Sequence, residues 1–103
     1  MSYIGVTQDL SPTGATPVQG FYKIIQTLAP ASVPANSTAE QLFTVPGVAL
    51  NDSIDINKNS HQFGLGILNV VVRAANQLAI TYSNTSGGAI VPTAEQYIIG
   101  GMR

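Results

Sequence analysis

The feature that most constrains this chain is a series of short runs rich in β-branched and aromatic residues, each closed by Pro, Gly or Asn. Phe21-Tyr22-Lys23-Ile24-Ile25-Gln26-Thr27-Leu28 is stopped by Pro30, and Gln41-Leu42-Phe43-Thr44-Val45 by Pro46-Gly47. Ser53-Ile54-Asp55-Ile56-Asn57 alternates polar and apolar residues, the pattern of a half-buried strand. A long apolar run over residues 65–73 holds Val70-Val71-Val72 and gives way to a turn at Arg73-Ala74-Ala75-Asn76. Leu78, Ile80 and Tyr82 then alternate with Ala79, Thr81 and Ser83, a second turn follows at Asn84-Thr85-Ser86-Gly87-Gly88, and residues 96–99 form the closing strand. No amphipathic helix of useful length competes. Strands of this length at this spacing predict an all-β fold, an antiparallel β-sandwich or barrel-like domain over residues 21–103.

Residues 1–20 break the pattern. Ser11-Pro12-Thr13-Gly14 and Thr16-Pro17 mark turns and extended backbone, so this stretch reads as an irregular N-terminal arm. It still carries Tyr3, Ile4, Val6 and Leu10, enough apolar groups to anchor in a groove of a neighbouring subunit. The triple valine supplies a further contact candidate. Alternate strand residues face opposite sides, so Val70 and Val72 face one way and Val71 the other, with Ile67. A strand apolar on both faces is covered on both faces, and in a small domain the second cover can be another subunit. The expected core comprises Phe43, Ile54, Ile56, Ile67, Leu68, Val70, Val72, Leu78, Ile80 and Ile98, with Phe63 and Tyr82 among the buried aromatics.

A chain of 103 residues fits one domain with a modest core. Only 9% of its residues are charged, against a typical value of about 25%. Its formal net charge is −1, so it has almost no field with which to steer anions or to repel its own copies. Lys23, Lys58, Arg73 and Arg103 are scattered, which argues against nucleic-acid binding. No apolar segment is long enough to span a bilayer, and the first residues lack the basic start and apolar run of an export signal, so a chain made and used without export is expected.

Catalytic constellations are nearly missing from the sequence. His61 is the single histidine and sits in the polar loop Asn59-Ser60-His61-Gln62, which does not supply a multi-histidine metal site. Asp55-Ile56-Asn57-Lys58-Asn59 begins like a calcium loop, but Ser60 and Gly66 stand where that loop needs Gly and Glu. Gly64-Leu65-Gly66 has Asn69 in place of the third glycine of a dinucleotide fingerprint. The expectation is therefore no enzyme, no cofactor, no metal and no small-molecule substrate. The tetrad Thr38-Ala39-Glu40-Gln41 recurs as Thr93-Ala94-Glu95-Gln96, and the two copies are expected to enter strands in the same way.

Three stretches carry a family resemblance. They are Ala39-Glu40-Gln41-Leu42-Phe43-Thr44-Val45-Pro46-Gly47-Val48, the run from Gly64-Leu65-Gly66-Ile67-Leu68 through Val70-Val71-Val72-Arg73-Ala74-Ala75-Asn76 to residue 84, and Thr85-Ser86-Gly87-Gly88 continuing to Tyr97. Together, over residues 37–101, they resemble small β-rich structural proteins of tailed bacteriophage virions, most of all head decoration (cement) proteins. The resemblance implies a virion component on the head surface, made in the host cytoplasm. Its implied partners are the major capsid protein and copies of itself, with a trimer as the expected oligomer. The alternatives are a tail, baseplate or fibre component, or a β-module that binds carbohydrate or a host surface, for which Tyr3, Tyr22 and Tyr97 are the candidate exposed aromatics. The candidate subunit contacts are Tyr3, Ile4, Val6, Leu10 and Val71.

Overall fold

The computed structural model describes residues 20–103. The candidate contacts Tyr3, Ile4, Val6 and Leu10, and all of the arm except Gly20, lie outside the described residues. Six strands follow one another: β1 (Phe21–Leu28), β2 (Ser37–Thr44), β3 (Ser53–Lys58), β4 (Leu65–Ala74), β5 (Gln77–Asn84) and β6 (Glu95–Met102). They form two three-stranded sheets, ordered β1-β6-β3 and β2-β5-β4, and every pairing is antiparallel. The all-β sandwich expected from the strand spacing is the fold observed.

Each sheet is amphipathic for a local reason. β1, β2 and β3 alternate exposed and half-buried positions along their length, as the two-residue period of a pleated strand requires. The central strand β5 is buried at nearly every second position, with Leu78, Ile80 and Tyr82 all at 0% exposure. Opposite it, β6 contributes Tyr97 and Ile99, also fully buried. Connector residues Val33, Val45 and Val48 belong to the same buried cluster.

The strand β4 departs from simple alternation. Its pairing with β5 shifts register between Ile67 and Asn69 and again between Val72 and Ala74. A β-bulge inserts one residue and changes the phase of every side chain beyond it. Ile67 therefore packs on the core together with Val70 and Val72, and not on the opposite face with Val71 as strict alternation predicts. The extra residue, Leu68, is 64% exposed and is not a core residue.

Two further core expectations are corrected. In β6 the buried positions are Tyr97, Ile99 and Gly101, so Ile98 points outward; a one-residue error of register reverses every side chain of a strand. Phe63, in the turn before β4, is 94% exposed. Phe43, Ile54, Ile56, Ile67 and Val70 are half-buried against the core, while Val72, Leu78, Ile80 and Tyr82 are within it. Strand β4 also continues through Ala74, leaving Ala75-Asn76 as the turn. The repeated tetrad does not enter its strands alike: Glu40 is exposed and Gln41 half-buried in β2, whereas Glu95 is half-buried and Gln96 exposed in β6.

Candidate functional site

Polar side chains that carry chemistry are used to fasten the sandwich. Tyr22 at the start of β1 donates to Asp52, and Arg103 donates to both oxygens of the same carboxylate at 3.0 and 2.8 Å. Asp52 also accepts the Ala49 N–H at 3.0 Å, closing the turn that leads into β3. The Arg103 guanidinium beside it holds the Asp52 carboxyl well below the usual carboxylate range. Burial, and then the neighbouring carboxylate, push the Tyr22 phenol up. Arg103 lies 5.0 Å from the centre of the Tyr22 ring. That ring occupies the space above Gly101, where any Cβ would stand only 1.9 Å from the ring carbon Cζ.

A second cluster sits between the sheets. Tyr82 of one sheet and Tyr97 of the other meet through their hydroxyls at 2.8 Å. Removal from water raises both phenols, so the pair stays neutral. Beside them Lys58 Nζ lies 3.5 Å from Glu95 and 5.8 Å from the centre of the Tyr97 ring, with no hydrogen bond of its own. Glu95 accepts from the Ser60 backbone N–H at 2.9 Å and from the Ser60 hydroxyl, and these bonds lower its pKa. Hydrogen-bonded carboxylates held ionised are poor general acids and weak general bases near neutral pH.

Amide side chains close the remaining seams. Gln41 pairs with both backbone groups of Ala31, accepting its N–H at 2.7 Å and donating to its carbonyl at 2.8 Å. Gln62 does the same across a longer gap, donating to the Val91 carbonyl and accepting from Thr93 N–H. Each glutamine imitates one rung of a strand ladder where no strand runs. Asn84, 1% exposed, donates to the Val33 and Gly88 carbonyls and accepts from the Ser86 N–H and hydroxyl.

These roles account for most of the candidate reactive groups. Among the described residues no three His, Asp or Glu side chains gather where they could hold a metal ion. His61 is exposed in its loop. Of the tyrosines weighed as a binding platform, Tyr97 is fully buried and Tyr22 is engaged with Asp52 and Arg103, while Tyr3 lies outside the described residues.

Exposed apolar residues among the described ones lie in loops, at Leu50, Phe63 and Val91, and on the outer faces of the sheets. Val71 is half-buried on the outward face of β4. It is paired with Ala79 of β5, which in turn is paired with Leu42 of β2. Leu42 is 54% exposed, whereas Ala79 between it and Val71 is 1% exposed. The Arg73–Glu40 ion pair, at 2.6 Å, lies on the same side of the sheet. The structure thus places Val71 in an outward apolar row. Sequence reasoning missed Leu42 as an outward residue because its neighbour Phe43 offers the larger apolar group. On the other sheet, Phe21, Ile25 and Met102 are the exposed apolar residues. Comparison of the chain with family models, with curated proteins and with solved structures found no match.

Proposed function

We propose that this chain is a non-enzymatic structural subunit of a bacteriophage virion, a decoration or cement protein that binds between major capsid subunits on the head. The observation that carries the reading is the outward row Leu42–Ala79–Val71 on a nearly uncharged sandwich. A binding protein of this kind needs shape-complementary apolar patches in a neutral polar surround, and it needs no reactive centre. The commitment of Asp52, Glu95, Lys58 and Tyr97 to internal contacts supports the same view. Repetition over many equivalent sites multiplies a modest affinity per site. The family resemblance adds copies of the chain itself as partners and implies a trimer on the particle.

The test is the copy number of the chain in purified particles, combined with binding of the isolated chain to particles that lack it. Hundreds of copies and saturable rebinding support a head protein. A few dozen copies or fewer would move it to the tail, and absence from particles would end the virion reading. Leu42→Ser and Val71→Ser should weaken rebinding by about tenfold or more, because both strip apolar contact from the docking row.

A further inference from the structure

The outward face of the β1-β6-β3 sheet is ordered in rows that the strand register fixes. Phe21, Met102 and Ser53 share one row, Lys23, Gly100 and Asp55 the next, and Ile25, Ile98 and Asn57 the third. Side chains of directly opposed residues stand on the same face of a sheet. Phe21 is 78%, Ile25 55% and Met102 37% exposed. Lys23 and Asp55 are both exposed, stand on opposite edge strands, and form no ion pair among the described residues. Gly100 leaves the floor between them bare, and a depression of about 280 Å³ there is lined by Phe21, Ser53, Asp55, Gly100 and Met102 among others.

We propose that this face docks a second copy of the same chain, sheet on sheet, about a two-fold axis parallel to β6 and passing over Gly100. Rotation about that axis exchanges the two edges of the sheet and keeps each row at its own height. Lys23 of one copy then lies over Asp55 of the other, twice, at opposite sides of the interface. Ile98 meets Ile98 and Met102 meets Met102 on the axis, and Phe21 and Ile25 cover Ser53 and Asn57 of the opposite copy. Sheets packed face to face stand about 10 Å apart, within reach of a lysine and an aspartate extended toward each other. The other two-fold arrangement, with its axis across the strands, sets Lys23 over Lys23 and Asp55 over Asp55. Charge therefore selects the first arrangement, and an isologous contact of this kind closes as a dimer.

The net charge of −1 per chain offers little repulsion to the pairing. Two eight-residue strands and the six-residue β3, about 4.8 Å apart and rising about 3.3 Å per residue, give a footprint of at most roughly 14 by 26 Å. That is well below the roughly 800 Å² per partner of a stable complex, so the dimer is a weak one, with a Kd in the micromolar to millimolar range. The inference does not depend on the virion reading, because it concerns the other sheet and the free chain.

Sedimentation equilibrium of the full chain from roughly 10 µM to roughly 1 mM tests it. A concentration-dependent dimer is expected. Lys23→Glu and Asp55→Lys should each weaken it about tenfold or more, since each removes both ion pairs and creates like-charge contacts. The double variant, with the two charges exchanged, should restore pairing to within about threefold. Ile98→Glu should abolish it while leaving the far-ultraviolet β spectrum unchanged; if that variant does not fold, the two charge variants at exposed positions still decide. A monomer throughout, a trimer, a dimer unmoved by the single reversals, or a double variant that fails to recover would each overturn the proposal. Retained particle binding by a strictly monomeric chain would overturn the pairing alone and leave the virion reading standing.

Discussion

Asp52 accepts four hydrogen bonds, one each from Tyr22 and Ala49 and two from Arg103, on a side chain that is 1% exposed. Its folded pKa lies below the value it has in the unfolded chain. The unfolded state therefore takes up a proton first as the pH falls. The contribution of Asp52 to stability is complete above about pH 5 and is lost progressively below about pH 4. Glu95 is displaced in the same direction by Ser60 and adds to the same acid limb. Asp52→Asn is expected to lower stability at neutral pH by about 1–3 kcal/mol and to flatten the acid limb of a urea-unfolding series from pH 7 to pH 3. An unchanged acid limb would place the acid-sensitive group elsewhere. The side-chain network was not legible in the sequence, where Asp52 is one of a few scattered acids, because its partners Tyr22 and Arg103 lie 30 and 51 positions away. Asn84 was equally hidden: a turn reading of Asn84-Thr85-Ser86-Gly87-Gly88 is correct for the backbone but gives no sign that the side chain is buried and makes four hydrogen bonds, to Val33, Gly88 and Ser86.

At the scale of elements, the strand spacing and the turn residues were legible because they are local. Five of the six strands overlap runs marked out by β-branched residues alone, and the sixth, β2, was legible in its second half. Which face of a strand is buried was legible only where alternation is regular, as in β3 and β5. In β4 it held for Val70, Val71 and Val72 but failed for Ile67 and Leu68, where the shift is a bulge that residue types do not announce, and it failed in β6, where Ile98 and Ile99 are chemically alike and only the opposite sheet chooses between them. A pair of substitutions checks the observed phase. Ile80→Ala should cost about 2–5 kcal/mol, since the side chain is fully buried on the central strand. Leu68→Ala should change stability by no more than about 0.5 kcal/mol, because the bulge turns the side chain to solvent. Chemical denaturation measures both, and a large loss at Leu68 would return it to the core. The β4–β5 turn offers a separate test. Asn76 adopts φ 63°, its side chain accepts the Gly47 N–H at 2.9 Å, and its backbone bonds to Val45 and Val48. Asn76→Gly keeps the backbone conformation and loses only the side-chain bond, about 1 kcal/mol, whereas Asn76→Ala also incurs the left-handed strain and should cost about 1 kcal/mol more. Equal losses would mean that the strain is relieved by movement of the turn.

At the scale of the whole molecule, two sheets with opposite assignments emerge from one short chain. The row Leu42–Ala79–Val71 faces outward from one sheet and the rows of Phe21, Lys23 and Ile25 from the other, so a single domain offers two surfaces on opposite sides of its core. On the proposed reading of the chain as a connector between subunits, that arrangement serves two contacts, and the low charge permits both surfaces to be used together. The candidate contacts Tyr3, Ile4, Val6 and Leu10 belong to residues 1–19, outside the described residues, and truncation tests separately whether they bear on binding and on folding. Gly20 and Arg103 exchange backbone hydrogen bonds at 2.9 and 3.0 Å, which closes the β1-β6 ladder at its end. Arg103 is fixed further by Asp52 and by the Gly47 carbonyl. Among the described residues the hydrogen-bonded frame of the sandwich runs from Gly20 to Arg103. Removing residues 1–19 should leave the far-ultraviolet spectrum of the β-domain in place and should shift the unfolding free energy by less than about 1 kcal/mol. If Tyr3 and Ile4 anchor the chain on the particle, the same truncation should reduce particle binding about tenfold or more, because two well-buried apolar side chains contribute roughly 3–6 kcal/mol and ordering only their own two residues costs about 2–4 kcal/mol. Binding undiminished by truncation would assign the contact to the sheet faces alone, with Val71 and Leu42 as its centre.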